Sequence, residues 1–282
     1  MRTCLRVSGV ALACLLLLSA RPASAQNEAA VDAVDDRVVP PSEPDYSLIA
    51  LPTAMRVPLH RSAFRVTHRF TRALGQGTFG DLVDDAFGLD GSALIGLEYR
   101  FGLLPGLQVG VHRTRLDKTI ELFTQYGLVR QTASRPVDLS VWVSVEGIDN
   151  FREEYSTAIG LIVSRLVGER AAFYVEPMWV GNTNRGIAGL EPPSDSDHTF
   201  VLGLSTRLRL RPTVYLVGEW APRVAGYDPS VHHGSFAIET RRGGHVFQLN
   251  FSNAFGTTMA QVARGGTGGD NWYMGFNISR RF

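Results

Sequence analysis

The sequence predicts an all-β protein whose main domain is a closed antiparallel transmembrane β-barrel of twelve strands. Three observations predict this fold. Segments in which apolar and polar side chains alternate recur from residue 63 to the end of the chain. The connections between these segments alternate between short and long, as turns and loops do at the two ends of a barrel. The apolar face of each segment can meet hydrocarbon only in a closed sheet, because backbone groups in a bilayer must pair internally.

Residues 1–25 have the pattern of a secretory signal peptide. Two arginines near the start are followed by an apolar run over residues 7–18 and by Ala-Ser-Ala, which ends at Ala25. The run is too short to cross a bilayer as a helix, so we expect cleavage after Ala25 and export. The only cysteines are Cys4 and Cys14, and the mature chain is therefore expected to have no disulfide and no thiolate metal site.

Residues 26–60 form a leader before the barrel, which we place at residues 61–282. The first half of the leader is acidic, contains Pro40, Pro41 and Pro44, and is poor in aromatic residues. Such a composition is typical of a flexible segment, here in the periplasm. The alternative is that the leader folds back into the barrel as a plug.

The alternating segments are long enough to cross a membrane as tilted strands, which need about 9–11 residues. Connections after even-numbered segments are short, and most of those after odd-numbered segments are longer. With an even number of strands, this pattern places both ends of the mature chain on the periplasmic side of the outer membrane. The predicted strands span residues 63–73, 90–101, 107–116, 118–130, 137–147, 154–165, 171–181, 198–210, 213–222, 235–241, 245–255 and 271–282.

Each strand has an apolar and a polar face. Ile95, Leu97 and Tyr99 are typical of the apolar face, which we assign to the lipid. The polar face, assigned to the lumen, carries nearly equal numbers of acids and bases, which predicts carboxylate–guanidinium pairs across the lumen. These pairs either fill the lumen structurally or line a narrow channel. The candidate lumen residues are Arg65, Arg69, Glu98, Arg100, His112, Glu121, Asp138, Glu146, Glu176, Arg207, Arg209, Glu219, Glu239 and Arg281.

The last strand ends on an aromatic residue and resembles the closing strand of bacterial outer-membrane β-barrels. This resemblance implies that the strand is recognised by the barrel assembly machinery. The candidate signal residues are Tyr273, Gly275, Phe276, Ile278 and Phe282.

Residues 64–131 carry more than a generic barrel pattern. They include His68-Arg69-Phe70, the Gly-Leu-Asp-Gly of residues 88–91 and the Leu-Asp-Lys of residues 116–118. On these residues the chain resembles an uncharacterised, domain-of-unknown-function family of bacterial outer-membrane β-barrel proteins. The resemblance implies the barrel fold and supplies no reaction or ligand.

These features predict a non-enzymatic outer-membrane barrel that acts as a narrow, porin-like channel or as a structural and docking component. The expected partners are the lipid bilayer, the assembly machinery and, for a channel, a small solute in the lumen. A formal net charge of +1 argues against a nucleic-acid partner. A protein that binds its partner through the outer loops is an alternative.

A lipid-modifying hydrolase is the enzymatic alternative, because some twelve-stranded outer-membrane barrels resemble phospholipases with a serine and a histidine on the lipid-facing wall. Here His68 has lipid-face parity, whereas Thr67 and Ser279 have lumen parity. The base and a nucleophile would therefore lie on opposite sides of the wall, which does not favour hydrolysis. We predict no catalytic residues and no cofactor.

Two loop clusters contain potential metal ligands. They are Asp228 with His232 and His233, and Asp195 and Asp197 with His198. Neither cluster has the spacing of a closed zinc site, so we predict no metal site. The glycine-rich residues 264–269 are followed by no predicted helix and indicate a mobile outer loop rather than a phosphate-binding loop.

Overall fold

The alternating segments form β-strands in the computed structural model, which describes residues 36, 38–184, 197–228, 231–268 and 271–282. The predicted signal peptide and the first part of the leader lie outside the described residues. The strands are β1 (Ser62–Ala73), β2 (Ala93–Leu104), β3 (Leu107–Thr114), β4 (Ile120–Val129), β5 (Asp138–Gly147), β6 (Glu153–Val167), β7 (Ala171–Gly181), β8 (His198–Arg211), β9 (Val214–Ala221), β10 (Arg223–Gly226), β11 (His233–Arg242), β12 (His245–Ser252) and β13 (Tyr273–Arg281). The described α-helices are α1 (Phe79–Asp84), α2 (Ile148–Phe151) and α3 (Met259–Arg264), and short 3₁₀ helices span Ala86–Gly88 and Leu116–Lys118.

The strands form one closed antiparallel sheet. β13 pairs with β1, with Ile278 opposite Val66, and this pairing closes the barrel. β9 and β10 both pair with β8 and are separated by Pro222, which has no N–H to donate but accepts a bond from the Leu202 N–H at 2.9 Å. β9 and β10 therefore act as one strand. The predicted closed barrel of twelve strands is confirmed.

The two ends of the barrel differ. At one end, here named the short-turn end, β2–β3, β8–β9 and β11–β12 are joined by tight turns. The chain termini of the barrel also meet there, and the Phe282 N–H donates to the Ser62 carbonyl at 2.9 Å. The opposite, long-loop end carries the connections that contain α1, α2 and α3. The short and long connections that alternate in the sequence thus lie at opposite ends of the barrel.

The barrel wall has the two faces that the sequence predicts. On β2, Leu97 and Tyr99 are 47% and 43% exposed, whereas the alternating residues Glu98 and Arg100 are 6% and 2% exposed. Large apolar side chains that cover an outer surface fit a hydrocarbon environment, and a closed sheet has no unpaired edge within it. In the described part of the chain, no helix is long and apolar enough to cross a membrane.

The described part of the leader lies inside the barrel, so the expectation of a flexible segment is wrong here and the plug arrangement is observed. Every residue from Ser42 to Met55 is buried, and this stretch belongs to the same compact unit as the barrel. It enters at the short-turn end, where the His60 N–H donates to the Gly102 carbonyl at 2.8 Å. Composition is misleading because the partners of this segment lie far away in sequence. We name residues 42–57 the plug segment.

The connection between β12 and β13 folds into the lumen from the long-loop end. We name residues 253–268 of this connection the inward loop. The mobility predicted for residues 264–269 stays a prediction, and Gly269 lies outside the described residues. Residues Met259–Ala263 of α3 are all buried, and the N–H of the N-cap Thr258 donates to the Gln261 side-chain oxygen at 3.4 Å. This helix precedes the glycine-rich residues 264–269, whereas a phosphate-binding loop would require a helix that follows them.

Candidate functional site in the barrel lumen

The lumen contains the predicted polar residues. Asp138, Arg209 and Arg281 are partly exposed towards the short-turn end, and the other candidates are buried. The buried candidates are Arg65, Arg69, Glu98, Arg100, His112, Glu121, Glu146, Glu176, Arg207, Glu219 and Glu239.

The tip of the plug segment is a tight turn over residues 47–52, closed by a β-bridge between its ends. One side of this turn faces the carboxylate of Glu219 on β9. That carboxylate accepts N–H bonds from Ile49 at 2.6 Å, from Ala50 at 3.0 Å and from Leu51 at 3.0 Å. Successive N–H groups that point to one side form a concavity that binds anions. Glu219 therefore holds the plug by its backbone, whatever the side chains of the turn.

The other side of the same turn presents carbonyl oxygens to lumen arginines. Arg65 donates to the carbonyls of Leu48 at 3.1 Å and of Ile49 at 2.7 Å. Arg207 donates to the Ser47 carbonyl at 2.8 Å. Charge-assisted bonds of this kind are stronger than those between neutral groups. The plug tip is thus held between an anion on one side and cations on the other.

Two side-chain amides extend this contact and are absent from the predicted site. Asn277 donates to the Ile49 carbonyl at 3.1 Å and to the Gln248 side-chain oxygen at 2.6 Å. Gln248 in turn donates to the Leu48 carbonyl at 3.2 Å. The inward parity of both residues on β13 and β12 is the signal that would identify them. The parity of Asn277 alone places it on the polar face, whereas its bond to the plug depends on the tertiary structure.

The predicted pairing of opposite charges across the lumen is observed only in part. Arg207 and Glu239 form a fully buried pair at 3.1 Å. Glu98 pairs with Arg100 two positions along the same strand rather than across the lumen. Arg65 and Glu219, by contrast, bond to the plug. The reason is that the backbone of the plug supplies hydrogen-bond donors and acceptors to these side chains. The pattern of charged residues along the strands does not reveal such backbone partners.

The inward loop is held by two carboxylates that face each other across β4 and β5. Glu121 lies opposite Glu146 in the strand register. Glu121 accepts the N–H of Met259 at 3.3 Å, at the beginning of α3. Glu146 pairs with Arg264 at 3.4 Å, at the end of α3. The two like charges are thus separated into contacts with opposite ends of one short helix.

One side of the lumen is apolar. The wall residues there pack against Leu48, Ile49 and Leu51 of the plug segment and against α3, forming one cluster. Such packing resembles a protein core and leaves little room for water. The wall residues of this cluster include Trp142, Ala158, Ile162, Met178, Val180, Val201 and Val217.

Glu43 anchors the beginning of the plug segment near the short-turn end. The Tyr174 hydroxyl donates to its carboxylate at 2.8 Å, and the adjoining Ser42 hydroxyl donates to the carbonyl of Gly168 in the β6–β7 turn at 3.4 Å. Burial raises the pKa of Glu43 to about 7, against the opposing effect of the Tyr174 bond. We therefore expect this end of the plug to respond to pH.

The geometry around His68 offers no pair of base and nucleophile. Its ring stacks on that of Phe276, with centroids 4.6 Å apart, on the outer wall. Thr67 and Ser279 are 1% and 5% exposed, and their hydroxyls face inwards, as their parity predicts. The arrangement that a lipid hydrolase needs is thus not formed by these residues.

The candidate metal ligands do not converge in the described part of the chain, where no group of three suitable side chains is present. Asp228 pairs with Arg223 at 2.8 Å. His233 faces the lumen, with Nε2 at 3.6 Å from the Glu219 carboxylate. Asp195 lies outside the described residues.

The terminal strand places its candidate signal residues on both faces. Phe276, Ile278 and Phe282 belong to the outer face, and Phe282 is 54% exposed. Tyr273 and Gly275 are buried on the lumen face. An ideal β-carbon at Gly275 would clash with the His68 carbonyl oxygen, so the absence of a side chain allows the close approach of β13 and β1.

A protein-family model described as "Membrane bound beta barrel domain (DUF5777)" matches residues 45–282. The chain belongs to this family. The match begins within the plug segment, so the family domain includes the plug tip as well as the barrel wall. The membership confirms the predicted relationship to a barrel family without an established function.

Several solved outer-membrane barrels are similar in fold. The NanC porin has a TM-score of 0.49 at 6% identity, over 78% of this chain and 98% of that one. Omp33 of Acinetobacter baumannii has a TM-score of 0.41 at 9% identity, over 79% and 98% of the two chains. Outer membrane phospholipase A of Escherichia coli has a TM-score of 0.41 at 9% identity, over 86% and 98%. A shared activity does not follow from likeness at this level, and no curated protein matches the chain.

Proposed function

We propose that the protein is a non-enzymatic outer-membrane barrel whose lumen is closed by its own plug segment and inward loop, and which serves as a structural or docking component. In this proposal the short-turn end faces the periplasm, together with both termini of the mature chain. The long loops face outwards and are available to a partner. The alternation of turn and loop lengths supports this orientation.

One observation carries the proposal, namely that the lumen is filled from both ends. The plug tip is bonded on one side to Glu219 and on the other to Arg65, while its apolar side chains join the wall cluster. α3 joins the same cluster from the opposite end. A porin lumen is a water-filled channel lined by polar side chains, and an apolar cluster that bridges wall, plug and helix does not fit that design.

Single-channel recording of the refolded mature chain in a planar bilayer tests closure. We expect no stable conductance, because the packed cluster excludes a continuous column of water. A variant without residues 42–57 serves as the comparison, since it retains the wall and the inward loop. Stable open levels in the unmodified chain would contradict the proposal.

A gated narrow channel is the second candidate. It is favoured by the way the plug is attached, since its tip is held by hydrogen bonds and apolar packing, both reversible, and the chain could withdraw through the short-turn end. Accessibility of a cysteine at Ser47, which is 1% exposed, distinguishes the two candidates. The native cysteines lie in the expected signal peptide, so a Ser47→Cys variant has a single thiol.

A closed barrel predicts that a water-soluble thiol reagent leaves Ser47→Cys unmodified while it labels Leu59→Cys, which replaces a side chain that is 45% exposed. Labelling of both thiols at comparable rates would favour the gated channel. The measurement needs no knowledge of a solute.

For the terminal strand we infer a role as the signal for the assembly machinery. Its outward row, which ends at the exposed Phe282, supports this inference. Removal of Phe282 should reduce insertion into the outer membrane in cells more than it reduces refolding of purified chain in detergent. An equal loss in both measurements would indicate a purely structural role.

A further inference from the structure

Three basic residues form a row on the outer wall at the short-turn end. Arg242 of β11 lies directly opposite His245 of β12, and His245 lies directly opposite Arg280 of β13. All three positions have the outward parity of their strands, and Arg242 and Arg280 are exposed. Side chains directly opposite each other in an antiparallel pair have β-carbons about 4.5–5.5 Å apart. The three basic groups are therefore immediate neighbours.

This basic row has no acidic counterpart in the described part of the molecule. Neither Arg242 nor Arg280 takes part in an ion pair with another described residue, and the Arg280 guanidinium lies over the Phe282 ring, 4.8 Å from the ring centroid. Arg242 and Arg280 lie on either side of His245 in the sheet, so an anion bound over His245 would meet both guanidinium groups.

A groove of about 390 Å³ lies on the same three strands, next to the basic row and towards the middle of the barrel wall. Its outward side chains are almost entirely apolar. The short side chain of Thr240 has Phe247 opposite it on β12, and Phe247 has Ile278 opposite it on β13. The outward residues that line the groove are Ile238, Thr240, Phe247, Leu249, Phe276 and Ile278.

The groove and the basic row follow one another along the same three strands. Ile238 and Arg242 are four positions apart on β11, which corresponds to about 13 Å along the strand. An apolar groove that lies beside two guanidinium groups and an imidazole matches part of an acyl chain next to its phosphate. Arginine is well suited to phosphate because its planar donors bind two oxygens at once.

We propose that the outer wall over β11–β13 binds one anionic glycerophospholipid, with the phosphate on Arg242, His245 and Arg280 and one acyl chain in the groove. The site faces the bilayer side of the wall, which favours a membrane lipid over a soluble anion. The inference goes beyond the proposed closed lumen and shares with it only the orientation, which makes this lipid one of the periplasmic leaflet.

Native mass spectrometry of the refolded mature chain tests the site. The chain is released from micelles that contain phosphatidylglycerol or phosphatidylcholine with identical acyl chains, and the bound lipids are counted. We expect one phosphatidylglycerol to be retained per barrel, with at least tenfold preference over phosphatidylcholine. The double variant R242Q/R280Q should lose that preference.

The matched control is R165Q/R211Q. It also removes two exposed arginines near the short-turn end, but from β6 and β8, away from the groove. This control should retain the lipid as the unmodified chain does. Thr240→Phe, which places a bulky side chain in the groove, should reduce retention without a change of charge.

Equal retention by R242Q/R280Q and the unmodified chain would overturn the proposal, as would equal losses in the two double variants. Retention unaffected by Thr240→Phe would overturn the placement of the acyl chain. Preferred retention of lipopolysaccharide over phosphatidylglycerol would overturn the assignment to the periplasmic leaflet. None of these outcomes depends on conductance, because the site lies outside the lumen.

Discussion

Replacement of Glu219 by alanine removes the anion around which the plug tip is folded. Three backbone N–H groups, those of Ile49, Ala50 and Leu51, then lose their acceptor within the lumen. A buried donor without a partner costs about 1–3 kcal/mol, and three such costs do not add fully because the turn can relax. We therefore expect the free energy of local plug opening to fall by about 4 kcal/mol, which is a factor of about 10³ in the opening equilibrium.

Hydrogen exchange of a peptide that spans residues 47–52 measures this equilibrium directly. In Glu219→Ala the exchange of these amides should accelerate by about three orders of magnitude, while the amides of the paired strands remain protected. Glu219→Gln keeps one neutral acceptor, and its exchange should lie between the two, faster than the unmodified chain by about 10–100-fold.

Glu146→Ala is the matched control, because Glu146 is also a buried lumen carboxylate but contacts Arg264 of the inward loop. Its effect should appear in the inward loop and leave the plug tip within a few-fold of the unmodified rate. If Glu219→Ala exchanged at residues 47–52 no faster than Glu146→Ala, the carboxylate would not be what holds the plug.

Three further predictions concern other buried positions. Because the pKa of Glu43 is raised to about 7 from 4.5, the folded state binds the Glu43 proton more tightly than the unfolded chain does, and plug docking should be tightest below pH 4.5 and weaken as pH rises through 7. The weakening should appear as faster hydrogen exchange of residues 42–46 after correction for the intrinsic rate. Glu43→Gln should remove this pH dependence. Glu176 is fully buried, and neither of its carboxylate oxygens has a hydrogen-bond partner among the described residues. Glu176→Gln should therefore leave the free energy of unfolding in urea unchanged or raise it by about 1–2 kcal/mol. A decrease in this free energy by more than that amount would show that the charge has a partner. Gly275→Ala should destabilise the pairing of β13 with β1 by about 1–3 kcal/mol. The measurement is the temperature at which the folded band disappears in gel electrophoresis. Gly218→Ala, where the nearest atom is 3.8 Å from the added carbon, should leave this temperature unchanged.

The barrel wall could be predicted from the sequence because its determinants are local. Alternation along β2 assigns Leu97 and Tyr99 to lipid and Glu98 and Arg100 to the lumen without any knowledge of neighbouring strands. The lengths of connections are equally visible, and they sort turns from loops. Closure is then required, because an open edge in hydrocarbon would leave backbone groups unpaired.

The contents of the lumen were decided only by the tertiary structure. The bond between the Ile49 N–H and Glu219 joins residues 170 positions apart, and the bond between Asn277 and the Ile49 carbonyl joins residues 228 positions apart. The plug is held mainly through its peptide groups, which every sequence has and no pattern of side chains reveals. Only when the closed wall brings Glu219 and Arg65 to opposite sides of one turn do those groups acquire specific partners.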